Sequence, residues 1–400
     1  MVERATAGRP LVVSRSWTHW ATSPDLMTLG LPAHDAGTGL AGEPLGEAQY
    51  GGDFVLDVFD AYAAGLVTNP NVVVAGAIGA GKSTVVKMQL DRALARGRRA
   101  VVLDPKGEYA PVARRYGRRP VILGRDGWCD PFARYEANES QLLRALLASA
   151  LGGALGVEEH FVIDELWRSV LAARPRRVMR HCYAQLAAAL DEGSSPRRRV
   201  ALGLHRLVEG DLGGLFDGGG EPLSLDDDLV VVDLSAQWAS ATLPLAVLSV
   251  VAAAQHVLGQ GDRLGYLILD EAWALLGDEH ALGWLRGSWK LARSTGVSHV
   301  LVLHRFSDVA AVGDVGSAQL ERARGLLRES ETLWLFRQPP DEAQEISDTL
   351  RLTSLELQYL RALPRGSALV RYGAHRSIVR LKPLERDLSL IDTDSAMRLS

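Results

Sequence analysis

The sequence predicts an α/β domain on a mostly parallel sheet, carrying an all-helical insertion. Three observations predict it. An apolar run from Val72 to Ala75 breaks into a glycine-rich loop and then a helical pattern, the start of a strand–loop–helix unit. Further short apolar runs alternate with helical stretches, and their lack of polar alternation suits strands covered on both faces. Between about residues 132 and 207 the apolar spacing is helical throughout, with no strand pattern to interrupt it.

The 400 residues are 47% hydrophobic and 23% charged, which supplies ample core for one elaborated domain or for two or three average ones. A net charge of −4 argues against a protein that coats polyanions wholesale, while leaving local basic patches open. Cys129 and Cys182 lie far apart and outside any metal-ligand spacing, as expected of a reduced, cytoplasmic compartment. The N-terminal apolar run is too short for a secretory signal. The most membrane-like window, 243–258, is too short to span a bilayer and carries Pro244, Gln255 and His256, so a buried helix is expected there.

Residues 1–48 read as an irregular segment rich in Gly, Pro, Ser and Thr, anchored by Trp17 and Trp20. The domain then runs from 49 to 382, with the insertion at about 132–207, and 383–400 form a tail. Residues 54–67 suit a strand or short helix leading into the first core strand. The strand at 72–75 opens onto Gly76, Ala77, Ile78, Gly79, Ala80, Gly81, Lys82, Ser83 and Thr84, a full G-x-x-x-x-G-K-S. Gly76, Gly79 and Gly81 free the backbone to curl its N–H groups around a phosphate chain. Lys82 can reach the β- and γ-phosphates, and the Ser83 hydroxyl can hold Mg²⁺. A helix follows, stopped by Gly97, and its N-terminus adds a positive dipole end. ATP with Mg²⁺ is the expected ligand.

A strand at 100–103 ends in DPKGEY, placing Asp104 and Glu108 at the sheet edge where open α/β sheets bind ligands. Two readings stand there: a turn made by Pro105 and Gly107, and a role for Glu108 near the γ-phosphate. A strand at 120–124 precedes the insertion, whose arginines (174, 176, 177 and 180, then 197 to 199) suit a solvated face or a nucleic-acid or acidic-partner surface. Strands at 229–235 and 266–269 follow, and the second ends in Asp270 and Glu271. In a P-loop enzyme the first acid holds Mg²⁺ through its water shell and the second deprotonates the attacking water. A helix carrying Lys290 and Arg293 leads to a strand at 299–303 ending at His304, where a polar group can sense the γ-phosphate. The strand at 331–337 ends in Arg337, and a short helix and a hairpin around Gly373 close the domain.

The ordered phrases NPNVVVAGAIGAGKST, VVLDPKGEY, VVVDLS, LILDEAWALL, ARSTGVSHVLVLHRFSD and ETLWLFRQPPDEAQ resemble the HerA–FtsK superfamily of motor ATPases, above all its conjugation and type IV secretion branch. The resemblance implies a RecA-like P-loop core, a hexameric ring and a secretion or conjugation membrane complex as partner. It also implies that Arg293 and Arg337 reach the active site of a neighbouring subunit. His304 stands where the superfamily usually has Gln. Residues 1–48 are too few for the large docking domain of many secretion ATPases, which suggests a motor module peripheral to the inner face of the membrane. The function expected is an ATP-hydrolysing ring motor of conjugative transfer or type IV secretion. The alternatives are a pump acting directly on double-stranded DNA, and an ATP-gated scaffold with little turnover.

Overall fold

The computed structural model describes residues 38–49, 51–129, 131–132, 139–216, 222–238, 242–260, 262–271, 278–303 and 318–391. Trp17 and Trp20 lie outside them. In chain order the first elements are β1 (Gly46–Ala48), β2 (Asp53–Phe54), α1 (Val58–Ala63), β3 (Val72–Ala75), α2 (Lys82–Ala95), β4 (Arg99–Asp104), α3 (Ala110–Arg115) and β5 (Val121–Ile122). Four helices follow: α4 (Ser140–Leu151), α5 (Val157–Ala173), α6 (Val178–Leu186) and α7 (Pro196–Val208). The chain then alternates through β6 (Leu229–Asp233), α8 (Leu243–Gly259), β7 (Gly265–Leu269), α9 (Glu279–Thr295), β8 (Val297–Leu303), α10 (Ala318–Arg328) and β9 (Thr332–Phe336). Last come α11 (Pro340–Leu350), α12 (Ser354–Ala362), β10 (Ser367–Tyr372), β11 (His375–Leu381) and α13 (Glu385–Ile391).

The strands form one sheet in the order β2-β1-β11-β10-β9-β3-β8-β7-β4-β6-β5. From β9 to β5 every pairing is parallel, and the strands from β10 outward join antiparallel. The parallel strands are apolar throughout because both faces are covered. Val73, Ala75, Val101 and Leu103 point into a core shared with the helices α4 to α9. Val72, Val74, Ala100 and Val102 point into a second core on the other face, with α2 and the N-terminal elements.

Three expectations of local structure meet their reasons here. Residues 54–67 contain both a strand end and a helix, because the Asp57 side chain accepts from the N–H groups of Phe59 and Asp60 and starts α1 there. Within 1–48, Gly46–Ala48 pairs antiparallel with β11; three residues are too few to show a period of two. The window 243–258 is a buried helix, with Pro244 in the first turn, where a missing N–H costs nothing. Among the described residues no helix is long and apolar enough to cross a membrane. The C-terminal helix α13 is tied down by Asp387, which meets the Arg92 guanidinium of α2 in two hydrogen bonds of 2.8 Å.

One buried polar cluster joins three elements below β3. Asn71 donates to the Trp289 carbonyl of α9 at 3.0 Å, and its Oδ1 accepts from the backbone N–H and Nδ1 of His299 in β8, at 3.0 and 3.1 Å. His299 Nε2 in turn faces the Ser288 hydroxyl at 3.0 Å and Gln255 Nε2 at 2.6 Å. Burial pushes the His299 imidazole down to about 3, so it sits neutral, with the proton on Nδ1 and Nε2 accepting.

Candidate active site at the carboxyl edge of the sheet

The loop from Gly76 to Gly81 joins β3 to α2 and is held from the side by the end of β9. Ala77 donates its N–H to the Arg337 carbonyl at 3.0 Å, and Gly366 donates to the Ala80 carbonyl at 2.9 Å. A Cβ on Gly76 would lie 2.5 Å from Phe336 Cβ, so only glycine permits this approach. Gly81 has φ of +124°, a conformation side chains resist, and it hands the chain to α2 without a capping side chain. The first-turn N–H groups of α2 are therefore left facing the loop, where an anion can meet them. Lys82 is buried and donates to the Gly76 and Ala77 carbonyls, at 2.7 and 3.1 Å. Burial pushes its ammonium down to about 8, with Asp270 and Glu271 pulling the other way. Ser83 and Thr84 are half-buried beside it, and Ile78 stands exposed at the loop tip.

The acids arrive from β7. Asp270 and Glu271 are both buried, and Asp270 Oδ1 accepts from the Glu271 N–H at 3.0 Å. Glu271 has φ of +56°, a left-handed conformation that costs a non-glycine residue roughly 1–2 kcal/mol. Its carboxylate forms an ion pair with Lys106, whose Nζ also lies 5.4 Å from the Trp238 ring centroid. Lys106 is the functional-site residue that the reading of the sequence passed over. The signal was its place inside DPKGEY; what was missing was the adjacency of β4 and β7.

DPKGEY itself is a turn. Asp104 is fully buried, and its two carboxylate oxygens accept from the N–H groups of Glu108 and Tyr109, at 3.0 and 2.8 Å. Burial pushes its carboxyl up and those two bonds oppose the shift. Glu108 is half-buried, close enough for its charge to act on Lys82 and on Lys87. Lys87, one turn and a half along α2, is fully buried 5.3 Å from the Tyr109 ring centroid, and burial lowers its ammonium.

The two arginines separate. Arg337 is exposed at the end of β9 beside the phosphate loop. Arg293 is exposed in the last turn of α9, which leads into the start of β8 and so lies at the opposite edge of the sheet. The structure brings Lys82, Asp270, Glu271 and Glu108 together within the chain and leaves Arg293 apart. His304 lies outside the described residues. In the helical region the basic side chains find local acceptors: Arg199 pairs with Glu159 at 3.1 Å, Arg197 with Glu192 at 3.6 Å, and Arg198 donates to the Leu190 carbonyl at 3.2 Å.

Residues 66–124 match the family model of the type IV secretion-system coupling protein DNA-binding domain. The fold is similar to that of VirB4 of Thermoanaerobacter pseudethanolicus, 22% identical, with a TM-score of 0.76 over 88% of this chain and 100% of that one. It is also similar to the bacterial conjugative coupling protein TrwB, at 19% identity and a TM-score of 0.51 over 78% of this chain and 84% of that one. A structure of TrwB in complex with ADP and Mg²⁺ matches with a TM-score of 0.52 at 18% identity, over 78% of this chain and 85% of that one. No curated protein matches by sequence. The α/β fold on a mostly parallel sheet is thereby borne out, and the family model supports the resemblance read from the motifs over residues 66–124.

Proposed function

We propose that this chain is the ATP-hydrolysing motor subunit of a conjugative transfer or type IV secretion system, working as a ring. One observation carries the reading: Lys82 at the start of α2, directly after the β3–α2 loop, and Asp270 and Glu271 at the end of β7 are all buried at the carboxyl edge of one sheet. The site fits a magnesium nucleotide. Among the described residues Lys82 is a desolvated cation hydrogen-bonded to two carbonyls, the first turn of α2 has no side-chain cap, and Ser83 and Asp270 supply hard oxygen donors. When bound, Mg²⁺ would be held by Ser83 and Asp270 and would neutralise charge that develops on the phosphates.

The chain's own residues do the rest. The loop N–H groups orient the phosphates, and Lys82 leaves its carbonyl acceptors for the β- and γ-oxygens. Ser83 and Asp270 hold the metal side. Glu271 takes the proton of the attacking water once Lys106 no longer occupies its carboxylate. Glu108 stands near enough to tune Lys82. Arg337, exposed beside the loop, and Arg293, exposed at the far edge, would reach a neighbour's nucleotide in the ring. His304 would act as a γ-phosphate sensor.

The match of residues 66–124 to a DNA-binding domain favours DNA as the cargo, with a hexamer on the inner face of a membrane complex as the working form. The test is a mixing experiment. Arg337→Ala or Arg293→Ala subunits, inactive alone, are combined with Glu271→Gln subunits. Recovery of turnover, together with a rise in turnover per subunit with concentration and on adding double-stranded DNA, is expected. A finger supplied in trans is worth about 10³–10⁵ in rate. Concentration-independent turnover without rescue overturns the ring, and negligible turnover under every condition returns the chain to an ATP-gated scaffold.

A further inference from the structure

At the start of β9 and the end of β10, on the edge of the sheet opposite the phosphate loop, lies a cavity of about 280 Å³. Arg328, Arg351 and Arg371 line it, with Thr349 and Leu350 at the C-terminus of α11, and no carboxylate lines it among the described residues. Arg328 Nε donates to the Thr349 carbonyl at 3.2 Å and Arg371 Nη1 to the Leu350 carbonyl at 2.9 Å. Capping a helix end explains these two bonds, but not the charge. A helix C-terminus offers about half a negative charge, against three guanidinium groups.

The nearby acids only partly answer this charge. Glu356 bonds Arg376 Nε at 2.6 Å, and Glu321 pairs with Arg328 at 3.7 Å. Asp341, Glu345 and Asp348 line a neighbouring pocket that shares Arg328 and Thr349. That leaves Arg351 and Arg371 as the cations whose charge the cavity's own lining does not meet. Arg371 is mostly buried, and its Nε has no acceptor. Burial lowers its affinity for its proton, with Arg376 adding to the effect and Glu356 opposing it. An ion desolvated in this way is costly unless an opposite charge joins it.

Arg351 makes the case sharper. It caps α11 in the left-handed region, with φ of +54° and ψ of +53°, the position where helices usually place glycine. The chain carries backbone strain there, and the residue at that position is the cavity's third cation, itself exposed.

We propose that this cavity is a phosphate-binding site separate from the ATP site, taking a phosphate of a nucleic-acid backbone or a free phosphate through Arg328, Arg351 and Arg371. The lining offers no aromatic face for a base, so recognition is of the phosphate alone. β9 spans about 15 Å between this cavity and the phosphate loop, too far for one nucleotide's phosphates to serve both.

The test removes the competing site and then the cavity. On a Lys82→Ala background, inorganic pyrophosphate is titrated by calorimetry, and a short fluorescent double-stranded DNA by anisotropy. The same is done with Arg351→Gly added. Glycine suits the left-handed cap, so the melting temperature should hold or rise. Binding of at least one probe should weaken about tenfold, the loss expected for a hydrogen bond to a charged group. For DNA the salt slope should also fall by about one. A loss for DNA identifies the backbone as the source, and a loss for pyrophosphate alone identifies free phosphate. If neither probe binds the Lys82→Ala protein, or Arg351→Gly binds both as tightly, the site does not exist. Neither arm depends on ATP hydrolysis, so failure here leaves the motor reading standing.

Discussion

Strands β4 and β7 lie side by side, in register from Arg99 opposite Gly265, and both end in buried acids at the same edge. The Asp104 carboxylate is consumed by its own turn, both oxygens accepting from N–H groups within five residues. The Glu271 carboxylate meets a long cationic side chain instead, from a turn on the neighbouring strand. A backbone N–H cannot leave without unfolding the turn. A lysine on a flexible stem can. Position at a strand's end therefore does not make an acid available for chemistry; the mobility of what holds it does.

The largest effect should separate the two acids outright. Glu271→Gln should lower turnover by about 10²–10⁴, the usual worth of a general base, with nucleotide still bound. Asp104→Asn should leave turnover per folded molecule near wild type. Steady-state ATPase rates beside nucleotide-binding titrations check this, and equal losses in both variants would break the comparison.

Stability should show the reverse ranking. Asp104→Ala strands two N–H groups, one of them buried, and should cost about 1–3 kcal/mol. Glu271→Gln relieves none of its backbone strain but strands no backbone donor, so its melting curve should move less. Denaturant midpoints at constant slope read the difference.

The smallest effect is a displacement in pH. Burial holds Lys82 at about 8, so the free protein loses that proton above pH 8, whereas bound phosphates retain it. ADP affinity should be flat below pH 8 and fall about tenfold per unit above it. Asp270, Glu271 and Glu108 raise the Lys82 value and Lys106 lowers it, and these are the leading charges acting on it. The bend should thus move to lower pH in Glu271→Gln, to higher pH in Lys106→Met, and less in Asp104→Asn than in either. Calorimetric titrations across pH 7 to 10 measure it.

The residues that were legible in the sequence are those whose chemistry is local. The phosphate loop is written in consecutive residues, and Asp270 and Glu271 end an apolar run whose burial follows from its composition. The turn at Asp104 was legible as one of two readings, and only the hydrogen-bond geometry separates them. The Lys106–Glu271 pair was not legible, because it depends on β7 being inserted beside β4 after a long helical excursion. The pairing of β1 with β11 was hidden for a similar reason: the strand is short, and its partner lies at the far end of the chain. The three arginines of the second cavity come from α10, from the end of α11 and from β10, and no spacing rule gathers them.

The cluster around Asn71 has a consequence for how force would move through this chain. It fastens the foot of the strand that carries the phosphate loop to α9, the helix that bears Arg293, and every member is uncharged. Ionic strength screens charges and leaves such a joint untouched. Acid reaches it only as the pH falls below the ordinary imidazole value of 6.5 toward the depressed one of about 3. The joint should keep the same stiffness at any ionic strength, so a salt dependence of turnover would report on contacts made beyond the chain, not on slack between its own parts.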